Sequence, residues 1–374
     1  MTDAVNFFSG TKFVSLVKKN EPLAPHTTLG IGGPVDYYIE TDKDDEAAEI
    51  LRYAHQCKLP VFVLGAGSNI VVADSGWRGL VLRYTNRQLI FHNSDDTIVE
   101  ASAGLNWDDL VVATVARGLA GIECLSGVPG LVGAAPVQNI GCYGQEAAAT
   151  IETVETIDCQ TGTRRQFSRQ ECGFGYRQSR FKKTGGYLIT KVIFRLSRIN
   201  DGAVLYDDVA RELSAQHIVK PTLGDVRQTV LAIRRRKSMV IDKDDPNSRG
   251  VGSFFVNPIV TRDTSDELQR ASARLFPSKV MPRWPMGGEL VKLSAAWLIE
   301  SAGFQRGDVF GRVGISANHT LAIINRGGAK ASDVVALAGQ IRQRVRDVFG
   351  VVLEPEPVFV GFNKTVGELL KESS

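Results

Sequence analysis

The sequence predicts an α/β (α+β) protein with mixed sheets, on three observations. Helical spacing of apolar residues alternates with short β-type runs, small residues crowd two separate loops, and 374 residues exceed what one ordinary core serves, which suggests two or three domains. A first helix is expected over residues 44–56, where Ala47, Ile50, Leu51 and Ala54 share a face, followed by a strand over 61–64. Asn106 reads as the N-cap of a second helix with Asp109 at its third position, and Gly118 ends it. Strands over 97–103, 153–158 and 187–196 follow, with Gln160-Thr161-Gly162 as a turn. Residues 229–237 are helical in pattern and end in Arg234-Arg235-Arg236-Lys237, after which 242–247 is loop chemistry. A short helix over 295–302 has Ser294 as cap and Gly303 as terminator, and a strand covers 320–325. Ser332 or Asp333 caps the last helix, whose positions Val334, Leu337, Ala338, Ile341, Val345 and Val348 repeat at helical spacing until Gly350. The strand after it carries Glu356. Internal repeats and low-complexity segments are absent.

Composition narrows the function classes. With 44 basic and 41 acidic residues the net charge is +3, so no broad attraction to nucleic acid or membrane is implied and any anion site must be local. Cys57, Cys124, Cys142, Cys159 and Cys172 are odd in number and lack C-x-x-C spacing, which argues against a disulfide framework and a zinc site and for reduced thiols. His26, His55, His92, His217 and His319 show no metal-ligand spacing, so no metal is expected. The first twenty residues lack a basic stretch followed by an apolar core, and nowhere do eighteen apolar residues run together. A cytoplasmic, soluble monomer is the expectation.

Residues 121–146, GIECLSGVPGLVGAAPVQNIGCYGQE, carry the most information. Gly127, Gly130, Gly133, Gly141 and Gly144 allow close backbone approach, while Pro129 and Pro136 stiffen the segment. An irregular buried loop is expected, with its remaining N–H groups turned toward an anion or carbonyl of a ligand. A second cluster, Gly65-Ala66-Gly67-Ser68-Asn69, follows an apolar run. As a Rossmann fingerprint it fails, because Ile70 stands where the third glycine belongs and β-branched sequence continues where a helix should open. Alone it reads as a tight hairpin or a phosphate site; with the other loop it points to a nucleotide cofactor.

The ordered set Thr27-Thr28-Leu29-Gly30-Ile31-Gly32-Gly33, Leu64 to Asn69, Gly127-Val128-Pro129-Gly130 through Asn139-Ile140-Gly141, Tyr176-Arg177, Gly252-Ser253-Phe254-Phe255 and Leu353-Glu354-Pro355-Glu356 resembles the UDP-N-acetylenolpyruvoylglucosamine reductase family. The resemblance spans about residues 20 to 362. It implies a vanillyl-alcohol-oxidase (PCMH) type FAD fold, with residues 1–87 plus 352–374 and residues 88–236 as two FAD-binding subdomains, and residues 237–351 as a substrate-binding domain. It further implies non-covalent FAD, NADPH as co-substrate, and reduction of UDP-N-acetylglucosamine enolpyruvate to UDP-N-acetylmuramate in peptidoglycan precursor synthesis. NADPH and substrate would use one flavin face in turn. The cofactor residues it implies are Leu64, Gly65, Ala66, Gly67, Ser68, Asn69, Ser126, Gly127, Val128, Pro129, Gly130, Gly133, Ala134, Asn139, Gly141, Tyr143 and Gly144. An oxidase of the same fold would be distinguished by rapid reaction of its reduced flavin with oxygen.

Three residues are singled out for chemistry. By resemblance Ser253 protonates the substrate carbanion left by hydride transfer from flavin N5 to C3 of the enolpyruvyl ether, and two aromatics beside it would exclude water. Arg177, always charged and offering a planar fork, suits the neighbouring carboxylate on which the charge spreads. Glu356 either holds Arg177 in place or, protonated, donates to the developing aci-carboxylate; Glu354 reads as a surface charge. Pro357 departs from the family's pattern and is expected to shift the local strand geometry. Lys237, Asn257 and Tyr206, the last in the tyrosine loop of the family's longer branch, are the implied substrate-binding residues.

Overall fold

The computed structural model describes residues 7–92, 95, 97–198 and 206–371, and it groups the chain into two compact units. The first comprises residues 1–22, 34–67 and 77–240; the second comprises 23–33, 68–76 and 241–374.

In the first unit, the helix Asp44–Gln56 forms where the apolar spacing places it and buries Ala47, Ala48, Ile50, Leu51 and Ala54. It follows the strand Pro34–Thr41 and precedes Val61–Val63; both run parallel to Trp77–Tyr84, which lies between them, and Lys18–Pro22 adds an antiparallel edge. A second sheet is antiparallel throughout, in the order Arg164–Ser168, Ile151–Asp158, Tyr187–Arg195, Ile98–Ser102, Leu89–Phe91. One apolar core runs through both sheets, from Ile39, Ile50 and Leu80 to Val154, Phe167 and Phe194. The helix Trp107–Val115 starts where Asn106 accepts the N–H groups of Asp108 and Asp109 at 2.9 and 3.4 Å. Two further helices, Asp207–Ala215 and Leu223–Arg236, pack through Val209, Leu213, Val226, Val230 and Ile233 onto Cys124. The second begins six residues before the expected 229, because Thr222 and Asp225 close a reciprocal capping box. Residues 199–205, ahead of Asp207, lie outside the described residues.

The second unit has its own core, centred on Phe254, Phe255, Leu298, Ile323, Leu337 and Leu353. Residues 27–33 lace it together: Thr28 Oγ1 donates to the Gly250 carbonyl at 2.6 Å, and Asn325 Nδ2 donates to that of Leu29 at 2.9 Å. The helix Ala295–Ser301 carries its expected cap, with Ser294 Oγ accepting the Trp297 N–H at 3.2 Å. The last helix, Ala331–Phe349, ends at Gly350 with φ 68°. Its N-terminus departs from expectation. The cap position is Lys330, and the first-turn donors are satisfied from a distance by Asp74, which accepts the N–H of Ala331 at 2.7 Å and of Ser332 at 3.2 Å.

A sheet in the order Ile259–Thr261, Leu290–Leu293, Arg283–Gly287 and the helix Arg262–Leu275 were not anticipated. The C-terminal stretch also differs. Residues 352–374, expected with 1–87, group with the second unit, where Val358–Val360 pairs in parallel with Ile70–Val72. Glu356 precedes that strand rather than lying in it. Pro357 cannot donate, so the ladder opens one residue later, with the Val358 N–H on the Asn69 carbonyl at 3.0 Å.

Candidate active site

Within the first unit the two glycine-rich loops lie against each other. The chain leaves Val61–Val63, turns at Gly67 with φ 65°, and brings Gly65 so close that an added Cβ would sit 3.9 Å from that of Ala134. The segment 121–146 is not the irregular loop expected. It folds into short turns, Glu123–Leu125, Val132–Ala134 and Ala135–Gln138, and a small hairpin of Gly141–Cys142 with Gln145–Glu146. Pro136 sits in the first turn of Ala135–Gln138, where a missing N–H costs nothing.

Many of its amides are consumed by the protein rather than left for a ligand. The Gly127 N–H donates to Asp108 Oδ1 at 2.7 Å, that of Val132 to the Leu105 carbonyl at 2.9 Å, and that of Gly133 to the Ala103 carbonyl at 3.0 Å. The Trp107 N–H reaches the Gly130 carbonyl at 3.1 Å. Ser126 is fully buried and its hydroxyl donates to the Glu123 carbonyl at 2.6 Å. Val128, Pro129, Ala134, Gly141 and Tyr143 are half-buried and Gly144 is exposed. What the loop offers a ligand is therefore a small-residue surface on a rigid base.

Asn139 ties this loop to the next. Fully buried, with φ 50°, it accepts the Ala148 N–H at 2.9 Å and donates to Glu146 at 2.8 Å and to the Gly175 carbonyl at 3.1 Å. Gly175 and Gln178 exchange backbone hydrogen bonds at 3.0 and 3.1 Å, closing a four-residue turn with Arg177 at φ 54°. The Arg177 guanidinium donates from Nη1 to the Asn139 carbonyl at 3.3 Å and from Nη2 to the Gly141 carbonyl. Arg177 is thus held by the glycine-rich loop itself.

Tyr206 and Lys237 also converge on that loop. The Tyr206 ring meets Tyr143 edge to face at 5.6 Å between centroids, and Lys237 Nζ lies 5.9 Å from the Tyr143 centroid and 3.3 Å from Asp208 Oδ2. Burial pushes the Tyr143 phenol up, against the lowering charge of Arg234.

Ser253 and Glu356 belong to the second unit. The Phe254 carbonyl accepts the Glu356 N–H at 2.9 Å and the Glu354 carbonyl accepts the Val256 N–H at 3.0 Å, so the backbones carrying Ser253 and Glu356 run antiparallel as neighbours. Pro355 sits opposite Phe255, between these bonds, where no N–H is required. Asn69 Nδ2 donates to the Glu356 carbonyl at 3.4 Å. Ser68 and Asn69 group with the second unit, and Leu64 to Gly67 of the same motif group with the first. Asn257 Oδ1 accepts the Ala295 N–H at 2.9 Å, so part of its side chain serves the helix Ala295–Ser301. Glu354 is exposed, as its reading as a surface charge requires.

Comparison with known proteins places these residues. Residues 35–168, which include both glycine-rich loops, match an FAD binding domain, and residues 244–360, which include Ser253 and Glu356, match the UDP-N-acetylenolpyruvoylglucosamine reductase C-terminal domain. The reductase of that name from Thermobifida fusca is 44% identical over 347 residues, covering 92% of this chain and 98% of that protein. The one from Mycobacterium ulcerans is 38% identical over 373 residues, covering 96% and 98%. The chain belongs to the UDP-N-acetylenolpyruvoylglucosamine reductase family. As a member, it is an FAD-dependent oxidoreductase. The crystal structure of the family member from Thermus caldophilus superposes with a TM-score of 0.62 at 25% identity, covering 92% of this chain and 98% of that one.

The residues present fit FAD. Gly65, Ala66, Gly133 and Ala134 are small and half-buried where the loops meet, so backbone rather than side chain would line the cofactor. Sequence reasoning missed the ion pair beneath this reductase-family loop. Asp108 receives Arg227 through both oxygens, each at 2.7 Å, while also holding Gly127. Its signal was the acidic first turn of a helix whose cap was recognised.

Proposed function

We propose that this chain reduces UDP-N-acetylglucosamine enolpyruvate to UDP-N-acetylmuramate, with NADPH as electron donor, in the peptidoglycan precursor synthesis of a bacterial cytoplasm. The observation that carries the reading is the anchoring of Arg177 on the carbonyls of Asn139 and Gly141, which places a fixed cation on the loop expected to hold the cofactor. Arg177 and Tyr206 lie outside both matched ranges, so their geometry supports the reading independently of those ranges. The four-stranded and five-stranded sheets of the first unit would be the two FAD-binding halves, and the second unit would carry substrate-binding residues.

Bound FAD supplies the hydride. The chain's own residues then manage charge and proton. Arg177 binds the substrate carboxylate through a guanidinium whose orientation is already set, so little reorganisation is needed as charge develops; a donor of this kind contributes about 3 kcal/mol. Ser253 holds the proton delivered to the carbanion, on a backbone pinned by the Leu321 carbonyl through the Phe254 N–H at 2.7 Å. Glu356, in its protonated form, donates to the aci-carboxylate. Lys237, Tyr206 and Asn257 bind the nucleotide portion.

Anaerobic spectroscopy tests this reading. NADPH should bleach the flavin band of the purified protein, and UDP-N-acetylglucosamine enolpyruvate should restore it. Reoxidation by oxygen alone would favour an oxidase, and a protein that cannot be reconstituted with FAD would defeat the assignment.

A further inference from the structure

One of the two carbonyls that hold Arg177 belongs to a hairpin too small to hold itself. Gly141–Cys142 pairs with Gln145–Glu146, closed by Tyr143 at φ 47° and Gly144 at φ 84°. A single two-stranded hairpin is marginal in water. The position of the Gly141 carbonyl therefore depends on what pins the hairpin to the rest of the first unit. The Cys142 thiol donates to the Cys124 carbonyl at 3.0 Å, a weak bond. The stronger link comes from Gln145.

Gln145 Nε2 donates to Glu123 Oε1 at 2.8 Å, and Gln145 Oε1 accepts the Cys124 N–H at 2.7 Å. The other oxygen of Glu123 accepts the Gly121 N–H at 2.7 Å. Glu123 is only 1% exposed and, among the described residues, no cation pairs with it. Its carboxyl is thus spent on one backbone amide and on Gln145. The network runs in one direction only. The backbone amides of Gly121 and Cys124 can only donate, so Gln145 must turn its oxygen to Cys124 and its nitrogen to Glu123. Reversing any one member sets two donors or two acceptors face to face beside a buried side chain, which is costly.

We propose that Glu123 and Gln145 are positioning residues for Arg177. Together they fix the hairpin whose Gly141 carbonyl, with that of Asn139, holds the guanidinium ready for the substrate carboxylate. The proposal rests on the reading of Arg177 as the group that binds that carboxylate. Loosening the hairpin leaves Arg177 charged but no longer aimed, and a misplacement of about 1 Å can cost about 100-fold in rate. A ligand without the carboxylate does not sense the change.

The test compares holoenzymes of wild type, Glu123→Gln, Gln145→Glu and the double swap Glu123→Gln/Gln145→Glu. The swap exchanges carboxyl and amide, so each N–H again meets an oxygen. Each protein is titrated, with the flavin band followed, with UDP-N-acetylglucosamine enolpyruvate and with UDP-N-acetylglucosamine, which lacks the carboxylate. Reoxidation of the NADPH-reduced flavin by the enolpyruvate is timed by stopped flow. Each single variant should be reoxidised about ten-fold more slowly or worse and bind the enolpyruvate more weakly, with affinity for UDP-N-acetylglucosamine unchanged. The double swap should recover most of the loss. Wild-type reoxidation in both single variants, equal weakening of both ligands, or a swap no faster than the single variants overturns the proposal. Should these proteins not fold, Gln145→Met decides, because it cuts the link without setting like groups together: unchanged reoxidation overturns the proposal, and weakening confined to the enolpyruvate supports it. An Arg177→Met protein that binds the enolpyruvate as tightly as wild type defeats the reading of Arg177, and the proposal with it. A loss seen in Arg177→Met alone overturns only the proposal.

Discussion

Arg177 occupies space that only a glycine at position 141 leaves open. A Cβ there would lie 3.0 Å from Nη1 of Arg177, 2.9 Å from the Gln145 carbonyl oxygen and 2.8 Å from Glu146 Cγ. Gly141→Ala must therefore displace the guanidinium or open the small hairpin. Turnover should fall about 100-fold, the effect of losing one preorganised donor, while the flavin spectrum is retained. Steady-state kinetics beside the bound-flavin absorbance check this; wild-type turnover would show that Arg177 needs no fixed orientation.

Ser253→Ala separates proton delivery from electron entry. Reduction by NADPH in a stopped-flow instrument should survive, while product formation drops roughly 100-fold or more, the low end for loss of a positioned general acid. Full turnover would remove Ser253 from the chemistry.

The pair of Asp108 and Arg227 makes the glycine-rich loop sensitive to acid. Burial is the largest influence on the Asp108 carboxyl and raises it, but the hydrogen bonds from Arg227 and Gly127 and the charges of Arg227 and Arg234 together outweigh it, leaving the group below its ordinary value of 3.8. A depressed carboxyl contributes stability that is fully present above that ordinary value and is lost as pH falls through the lowered one. Acid titration of wild type against Asp108→Asn should show the stability difference shrinking below about pH 4. A difference that stays constant down to pH 2 would contradict this.

Asp74 caps the helix Ala331–Phe349 from 257 positions away in sequence, through the Ala331 N–H, and binds the Ser332 hydroxyl at 2.9 Å. Asp74→Ala should cost about 1 to 2 kcal/mol, read as a lower urea midpoint with unchanged slope. Ser332→Ala removes only the hydroxyl contact and should cost less.

The elements legible in the sequence are those closed by nearby residues. Asp44–Gln56 follows from its apolar spacing, the starts at Asn106 and Ser294 from side chains that reach their own first turns, and the stop at Gly350 from a left-handed residue. The helix Arg262–Leu275 stayed hidden because two of its three buried positions are serines, Ser265 and Ser272, which blank the periodicity. The strand Arg283–Gly287 is exposed at every position and so has no inward face to betray it.

The candidate site divides along the same line. Resemblance to the family brought forward Arg177, Ser253, Glu356, Tyr206 and Lys237, the first three of them within its ordered motifs. Only the tertiary structure decided that Tyr206 and Lys237 meet at Tyr143, that Asp74 caps a helix it precedes by more than 250 residues, and that Arg234 rather than its two arginine neighbours is buried. Local signals survive in sequence because a cap or a turn satisfies its hydrogen bonds within a few residues. A long-range contact leaves no such mark, since its partner is chosen by packing and by the need of every buried polar group for an acceptor or donor, wherever in the chain it lies.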